Sequence, residues 1–109
     1  MNNSEKYFSE LRHNFILNNP DAIEAKMMSA PGIGYQKKVF AFYFRDAMVF
    51  KLGKDFDPGA EGIKNWEFLN PFKFKPPMKA WYIIPFEGGS EYWERLLPMS
   101  YNFIKNFKY

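Results

Sequence analysis

The stretch VFAFYFRDAMVFKL, residues 39–52, decides the fold. Two apolar runs, residues 39–44 and 47–52, flank the polar pair Arg45-Asp46. Both are rich in the aromatic and β-branched residues that fill a pleated, half-buried surface. The pair between them has the length of a tight hairpin turn. Strand alternation puts Phe40, Phe42 and Phe44 on one face of the first arm and Met48, Phe50 and Leu52 on one face of the second. Val39, Ala41, Tyr43 and Val49 oppose that Phe/Met face. The hairpin is therefore predicted to form the centre of a sheet and to be apolar on both sides.

Composition supports a packed domain. The chain has 109 residues, of which 47% are apolar and 21% aromatic, so it can bury a sizeable core as one domain, residues 1–109. The formal charge of +3 is mild and reads as an ordinary solvated surface in preference to a nucleic-acid footprint. The absence of Cys excludes disulfides, thiolate nucleophiles and Cys-based metal sites. The opening MNNSEKYFSELR has no apolar run of the signal-peptide kind, and no segment of about 18 apolar residues could span a membrane. A cytoplasmic protein with no membrane partner is expected.

Outward from the hairpin, Phe8, Leu11, Phe15 and Ile16 recur at helical spacing. They predict an amphipathic helix over residues 4–17, opened by Asn2, Asn3 or Ser4 and stopped by Asn18-Asn19-Pro20. A first strand is expected over residues 25–29. Ala30-Pro31-Gly32-Ile33-Gly34 then breaks regularity, with a bulge or bend before Tyr35 and a turn at Gln36-Lys37-Lys38. Residues 53–62 are turn chemistry, and residues 63–66 have the length of one helical turn. Phe68, Leu69 and Phe72 make a strand that Pro71 assigns to an edge. Residues 79–86 are the last strong strand, with Trp81 and Ile83 facing one way and Tyr82, Ile84 and Phe86 the other. Trp93, Leu96, Leu97, Tyr101 and Ile104 form a second helical stripe. Pro98 falls inside it and predicts a kink or a break into two helices. The result is an α+β two-layer sandwich: a five-stranded antiparallel sheet with N- and C-terminal helices packed on it.

Three pieces, KMMSAPGIGY (residues 26–35), the hairpin, and PPMKAWYIIP (residues 76–85), resemble in this order the TfoX/Sxy N-terminal domain family. Its members carry a Met-Phe-Gly segment, such a hairpin ending in Lys, and a Pro-Met-Lys-x-Trp segment leading into a strand. Pro77-Met78-Lys79-Ala80-Trp81 is the most specific match, and Lys51 matches the strand-end Lys. Met28-Ser29-Ala30 departs from Met-Phe-Gly. The resemblance implies the same two-layer sandwich, as a stand-alone copy without the family's C-terminal domain. It implies a regulatory role in the sense of natural competence and transcription regulation, and offers no catalytic residues to carry over.

Read for chemistry, the residues favour contacts over catalysis. His13, the sole histidine, sits beside the first helix's stripe and lacks the partners of a triad or zinc site. Asp55, Asp57 and Glu61 are the densest carboxylates, but their spacing is not that of a calcium loop. Gly32-Ile33-Gly34 precedes a strand where a phosphate loop precedes a helix. No cofactor is expected. Lys73, Phe74, Lys75, Lys79 and Trp81 interleave cations with aromatics as single-strand binders do. A strand with Phe inward and Lys in solvent accounts for the same pattern. Helices on one side alone leave the other sheet face open. The expectation is accordingly a non-enzymatic domain acting through a protein partner or self-association, with Ala41, Tyr43 and Val49 on the open face.

Overall fold

The computed structural model describes residues 3–69 and 78–106. Helix α1 (Asn3–Asn18) is followed by strands β1 (Ala22–Met27), β2 (Ala30–Tyr35), β3 (Lys38–Phe44) and β4 (Ala47–Lys51). A 3-10 turn (Gly59–Glu61) leads to β5 (Glu67–Leu69), β6 (Met78–Pro85) and α2 (Ser90–Asn106). All pairings are antiparallel, and the strand order is β1-β2-β3-β4-β6-β5. Both helices contribute to one buried cluster with the sheet residues beneath them, so the helices share a face, and among the described residues no helix covers the other, open face. The class is the α+β arrangement expected, with six strands in place of five.

The additional strand is β2, which falls where Pro31, Gly32 and Gly34 read as breakers. Neither glycine is there for positive φ. A Cβ on Gly32 would stand 2.6 Å from the Ala41 carbonyl oxygen, and one on Gly34 would stand 3.1 Å from that of Lys38. At Gly32 the β3 backbone passes too close for a side chain, while at Gly34 the approach is tight. Where the sequence predicts a first strand over residues 25–29, the chain has β1 ending at Met27 and a two-residue turn at Met28-Ser29. Both turn residues have positive φ, as a turn matched to strand twist requires. The irregularity expected before Tyr35 is present as a register shift at Ile33/Gly34. Residues 63–66 form no helical turn; the 3-10 turn lies earlier. Phe68 and Leu69 do lie in an edge strand, β5, while Pro71 and Phe72 lie outside the described residues.

Pro98 does not divide the C-terminal segment: α2 runs through it. Trp93, Leu96 and Leu97 before it, and Tyr101 and Ile104 after it, are all buried against the sheet. Burial of five large side chains, each contributing roughly 1.5–3 kcal/mol, outweighs the ~3 kcal/mol of an interior proline. Trp93 is the hub. Its ring stacks on Tyr7 at 5.7 Å and meets Phe86 edge-on at 5.6 Å, and its Nε1 donates to the Ile84 carbonyl at 2.9 Å. The buried indole is thereby satisfied.

The long connection between β4 and β5 is tied down by tyrosines. The Tyr82 hydroxyl donates to the Gly53 carbonyl at 2.7 Å and lies 3.2 Å from that of Phe56, while the rings of Phe56, Trp66 and Phe68 surround it. Tyr92 donates to the Gly62 carbonyl, and Arg95 donates to that of Glu61. Replacing Tyr82 by Phe removes the hydroxyl that the Gly53 and Phe56 carbonyls share, leaving Gly53 only the longer bond from the Phe56 N–H, and should cost about 1–2 kcal/mol in urea unfolding. Burial, reinforced by Asp55 and Asp57, holds the Tyr82 phenol above its ordinary 10.0, and burial with Glu94 does the same for Tyr7. The unfolded phenols ionise first as pH rises. The stabilisation is therefore complete below pH about 10 and is lost as pH climbs through the folded values. Urea midpoints should fall above pH about 10, and less steeply in Tyr82→Phe.

Candidate interaction surface

The turn at Arg45-Asp46 sets which side chains meet. It pairs Phe44 with Ala47, Phe42 with Val49, Tyr43 with Met48 and Ala41 with Phe50. Directly paired residues share a sheet face. Ala41 and Tyr43 therefore lie with Met48 and Phe50 under the helices, and are buried there. This corrects the placement of Ala41 and Tyr43 on the open face opposite Met48 and Phe50.

The expected row Phe40, Phe42, Phe44 is also broken. Ile33 pairs with Ala41 and Gly34 with Val39, which leaves Phe40 as the extra residue of a bulge. Beyond it the alternation inverts: Phe40 joins the helix-side core, and Val39 packs with Phe42 on the other face. Strand β6 keeps its expected alternation. Tyr82 and Ile84 face the helices, while Trp81 and Ile83 face away.

The open face has its own small core of Phe42, Val49 and Trp81, with Phe42 and Trp81 ring centroids 5.6 Å apart. Beside it lies a groove of about 450 Å³. Phe42, Val49 and Ile83 line it together with Met27, Met28, Phe44 and Leu69. Met28 is 78% exposed and Phe44 48%, large values for apolar side chains. Arg45 is the charged residue of the lining, and its guanidinium lies over the Phe44 ring at 4.9 Å. Flexible thioethers beside aromatic and branched walls make a surface that can repack around different apolar side chains.

The groove's end is held rigidly. On the helix side, Ser4 Oγ and Tyr43 OH lie 2.6 Å apart, Ser4 Oγ donates to Asp46 Oδ1 at 2.7 Å, and Tyr43 OH approaches the same oxygen at 3.2 Å. Each hydroxyl has one proton, so the shortest consistent chain runs from Tyr43 to Ser4 to Asp46. The Asp46 carbonyl accepts from Phe86 N–H at 2.8 Å. Arg45 and Asp46 both have positive φ. The pair is thus a hairpin turn whose aspartate is anchored to α1, while its arginine borders the groove.

The other sequence candidates do not converge. Val49 and Trp81 are on the open face, but Trp81 is only 5% exposed and is engaged with Phe42, with the Lys51 ammonium 5.7 Å from its ring centre. Lys73, Phe74 and Lys75 lie outside the described residues, as does the side chain of Lys79. His13 is exposed on α1. Asp57 accepts from the Gly59 N–H within its own turn, and Glu61 pairs with Arg95 at 3.6 Å. Gly32-Ile33-Gly34 is interior β2. Among the described residues no three His, Cys, Asp or Glu side chains are grouped to hold a metal. A second depression, about 380 Å³, lies between the helices and is rimmed by Glu10, Asn14, Asn18 and Glu94.

The sequence pattern does not single out Met27, Met28, Phe44, Leu69 and Ile83 as groove residues, while Arg45 reads from it either as a functional tip or as part of a polar turn. The signal was available in part, since a two-residue turn at Arg45-Asp46 dictates the Phe42–Val49 pairing. No family model matches the chain, and neither a curated protein nor a solved structure matches it.

Surface and core predict different responses to mutation. Met28→Glu and Phe44→Glu should each change unfolding free energy by less than about 0.5 kcal/mol. Phe42→Ala, on the groove floor, should cost about 3–5 kcal/mol. Denaturant midpoints compare the three directly.

Proposed function

We propose that this chain is a non-enzymatic protein-interaction domain of the TfoX/Sxy N-terminal kind, acting in regulation, and that the open-face groove takes apolar side chains of a protein partner. The observation that carries the reading is the exposed apolar rim formed by Met28 and Phe44, beside the half-buried Met27, over a packed floor. Exposed apolar surface of this sort is retained where a partner covers it. The rigid hairpin tip supports it, because a docking surface already ordered loses little freedom on binding. Arg45 at the rim matches a carboxylate on the partner. The family resemblance rests on the stretches at residues 26–35, 39–52 and 76–85. A cytoplasmic setting belongs to the same proposal; among the described residues no helix is long and apolar enough to cross a membrane. The single-stranded nucleic-acid alternative gains no support from Trp81, whose ring is buried against Phe42 and not presented to a base.

The test is selection of displayed random peptides against the immobilised protein, followed by methyl NMR of the best binder. Enriched peptides should carry aromatic or aliphatic anchors, and their shifts should concentrate on Met27, Met28 and Ile83. Phe44→Glu should weaken binding about tenfold or more. Absence of binders, shifts confined to the helical face, or unchanged affinity in Phe44→Glu overturns the proposal.

A further inference from the structure

The two ends of the sheet are built differently. Strand β5 has a register shift at Phe68/Leu69 against β6, the kind of irregularity that blunts an edge. Strand β1 has six residues in unbroken register with β2 and contains no proline. Among the described residues nothing pairs with its outer side. We infer that β1 is the seam of a symmetric dimer, in which the β1 strands of two copies pair antiparallel about a two-fold axis at Ala25.

The register follows from backbone geometry and charge. The two-residue turn at Met28-Ser29 is closed by Met27 and Ala30, which makes them a hydrogen-bonded pair. By alternation Ala25 and Ile23 also bond to β2, and the N–H and C=O groups of Glu24 and Lys26 point to the open side. Ala22, in the same phase, directs its N–H away from β2 and donates to the Asn19 carbonyl at 2.9 Å. A second β1 must therefore engage Glu24 and Lys26. With Ala25 on the axis, each Glu24 stands opposite Lys26 of the other copy, twice over. The neighbouring allowed registers place Glu24 opposite Glu24 or Lys26 opposite Lys26, which like-charge repulsion disfavours.

The side chains agree on both faces. Glu24 lies on the helix side, 70% exposed even with Arg12 at 3.8 Å, and has room for a second cation. On the open face the same register sets Ile23, which is 48% exposed, opposite Met27 of the second copy. Met27 lines the groove, so the apolar faces of the two copies become continuous across the seam. The inference rests on the sheet edge and not on the identity of any groove ligand.

The chain contains no Cys, so Ala25→Cys introduces a single thiol. Opposed residues in a non-hydrogen-bonded antiparallel pair have Cα atoms about 4.5 Å apart, within disulfide reach. Mild oxidation should link Ala25→Cys into dimers at least about tenfold faster than Ile23→Cys or Lys26→Cys. In sedimentation equilibrium, Lys26→Glu should raise the dimer dissociation constant about tenfold, and the exchange Glu24→Lys with Lys26→Glu should restore it. A wild-type chain that sediments as a monomer at every concentration reached overturns the inference. So does a Lys26→Glu chain that dimerises as well as wild type, or an Ala25→Cys chain that cross-links no faster than the two controls. Peptide selection on the groove reads neither quantity, so the two proposals fail separately.

Discussion

Everything on this sheet depends on the hairpin turn at Arg45-Asp46 being two residues long and held in place. Its length sets the pairing of Phe42 with Val49 and of Tyr43 with Met48, and so decides which apolar side chains meet the helices. Its position is secured by the chain of hydrogen bonds from Tyr43 through Ser4 to Asp46, which joins the tip to the first turn of α1. A slip of one residue would turn Tyr43 and Met48 outward and bury Phe42 and Val49 in their place. The polar link opposes that slip, because it would carry the Tyr43 hydroxyl away from the buried Ser4 hydroxyl and the exposed Asp46 carboxylate that it meets in this register.

From that register the molecule acquires two unequal apolar layers. The larger mixes aliphatic and aromatic side chains; its rings centre on Trp93, with Tyr7 and Phe86 around it and a second group of Phe15, Tyr35, Phe40 and Tyr101 beside it. The smaller, on the open face, is Phe42, Val49 and Trp81, and it shades into the groove. The bulge at Phe40 connects the two layers. By adding one residue to β3 it moves Phe40 to the helix side, where it meets Phe15 and Tyr101, and moves Val39 to the open side. The groove, the anchored tip and the regular β1 edge belong to one structural unit, since β1 carries Met27 into the groove and Glu24 and Lys26 to the rim of the sheet.

Much of the architecture was legible in the residues. The stripe Phe8, Leu11, Phe15 announced α1; the runs on either side of Arg45-Asp46 announced β3 and β4; and the alternation of Trp81 and Ile83 against Tyr82 and Ile84 was right residue by residue. The misreadings have specific causes. Pro31, Gly32 and Gly34 argue against a strand on propensity alone, yet β2 pairs on both sides, with β1 and β3, and at Gly32 the β3 backbone comes so close that only hydrogen fits. Pro98 argues for a break, yet burial of the stripe on both sides of it prevails. Ala41 and Tyr43 face the helices because the short turn imposes a cross-strand pairing that the alternation of either arm alone does not reveal. The groove was missed for the same reason, since Met28 and Phe44 look like ordinary strand-end residues until they are placed side by side.

The sequence by itself determined the class of fold, the two amphipathic helices and the central hairpin. Those are local matters: periodicity of 2 or 3.6, the chemistry of turns, and the amount of apolar surface to be hidden. Only the tertiary structure decided which face each strand presents, that β2 is a strand at all, and that an apolar groove and a charged, regular edge lie beside each other. These depend on how closely distant backbones approach and on where one inserted residue inverts an alternation. Both are properties of pairs of strands and cannot be read from either strand alone.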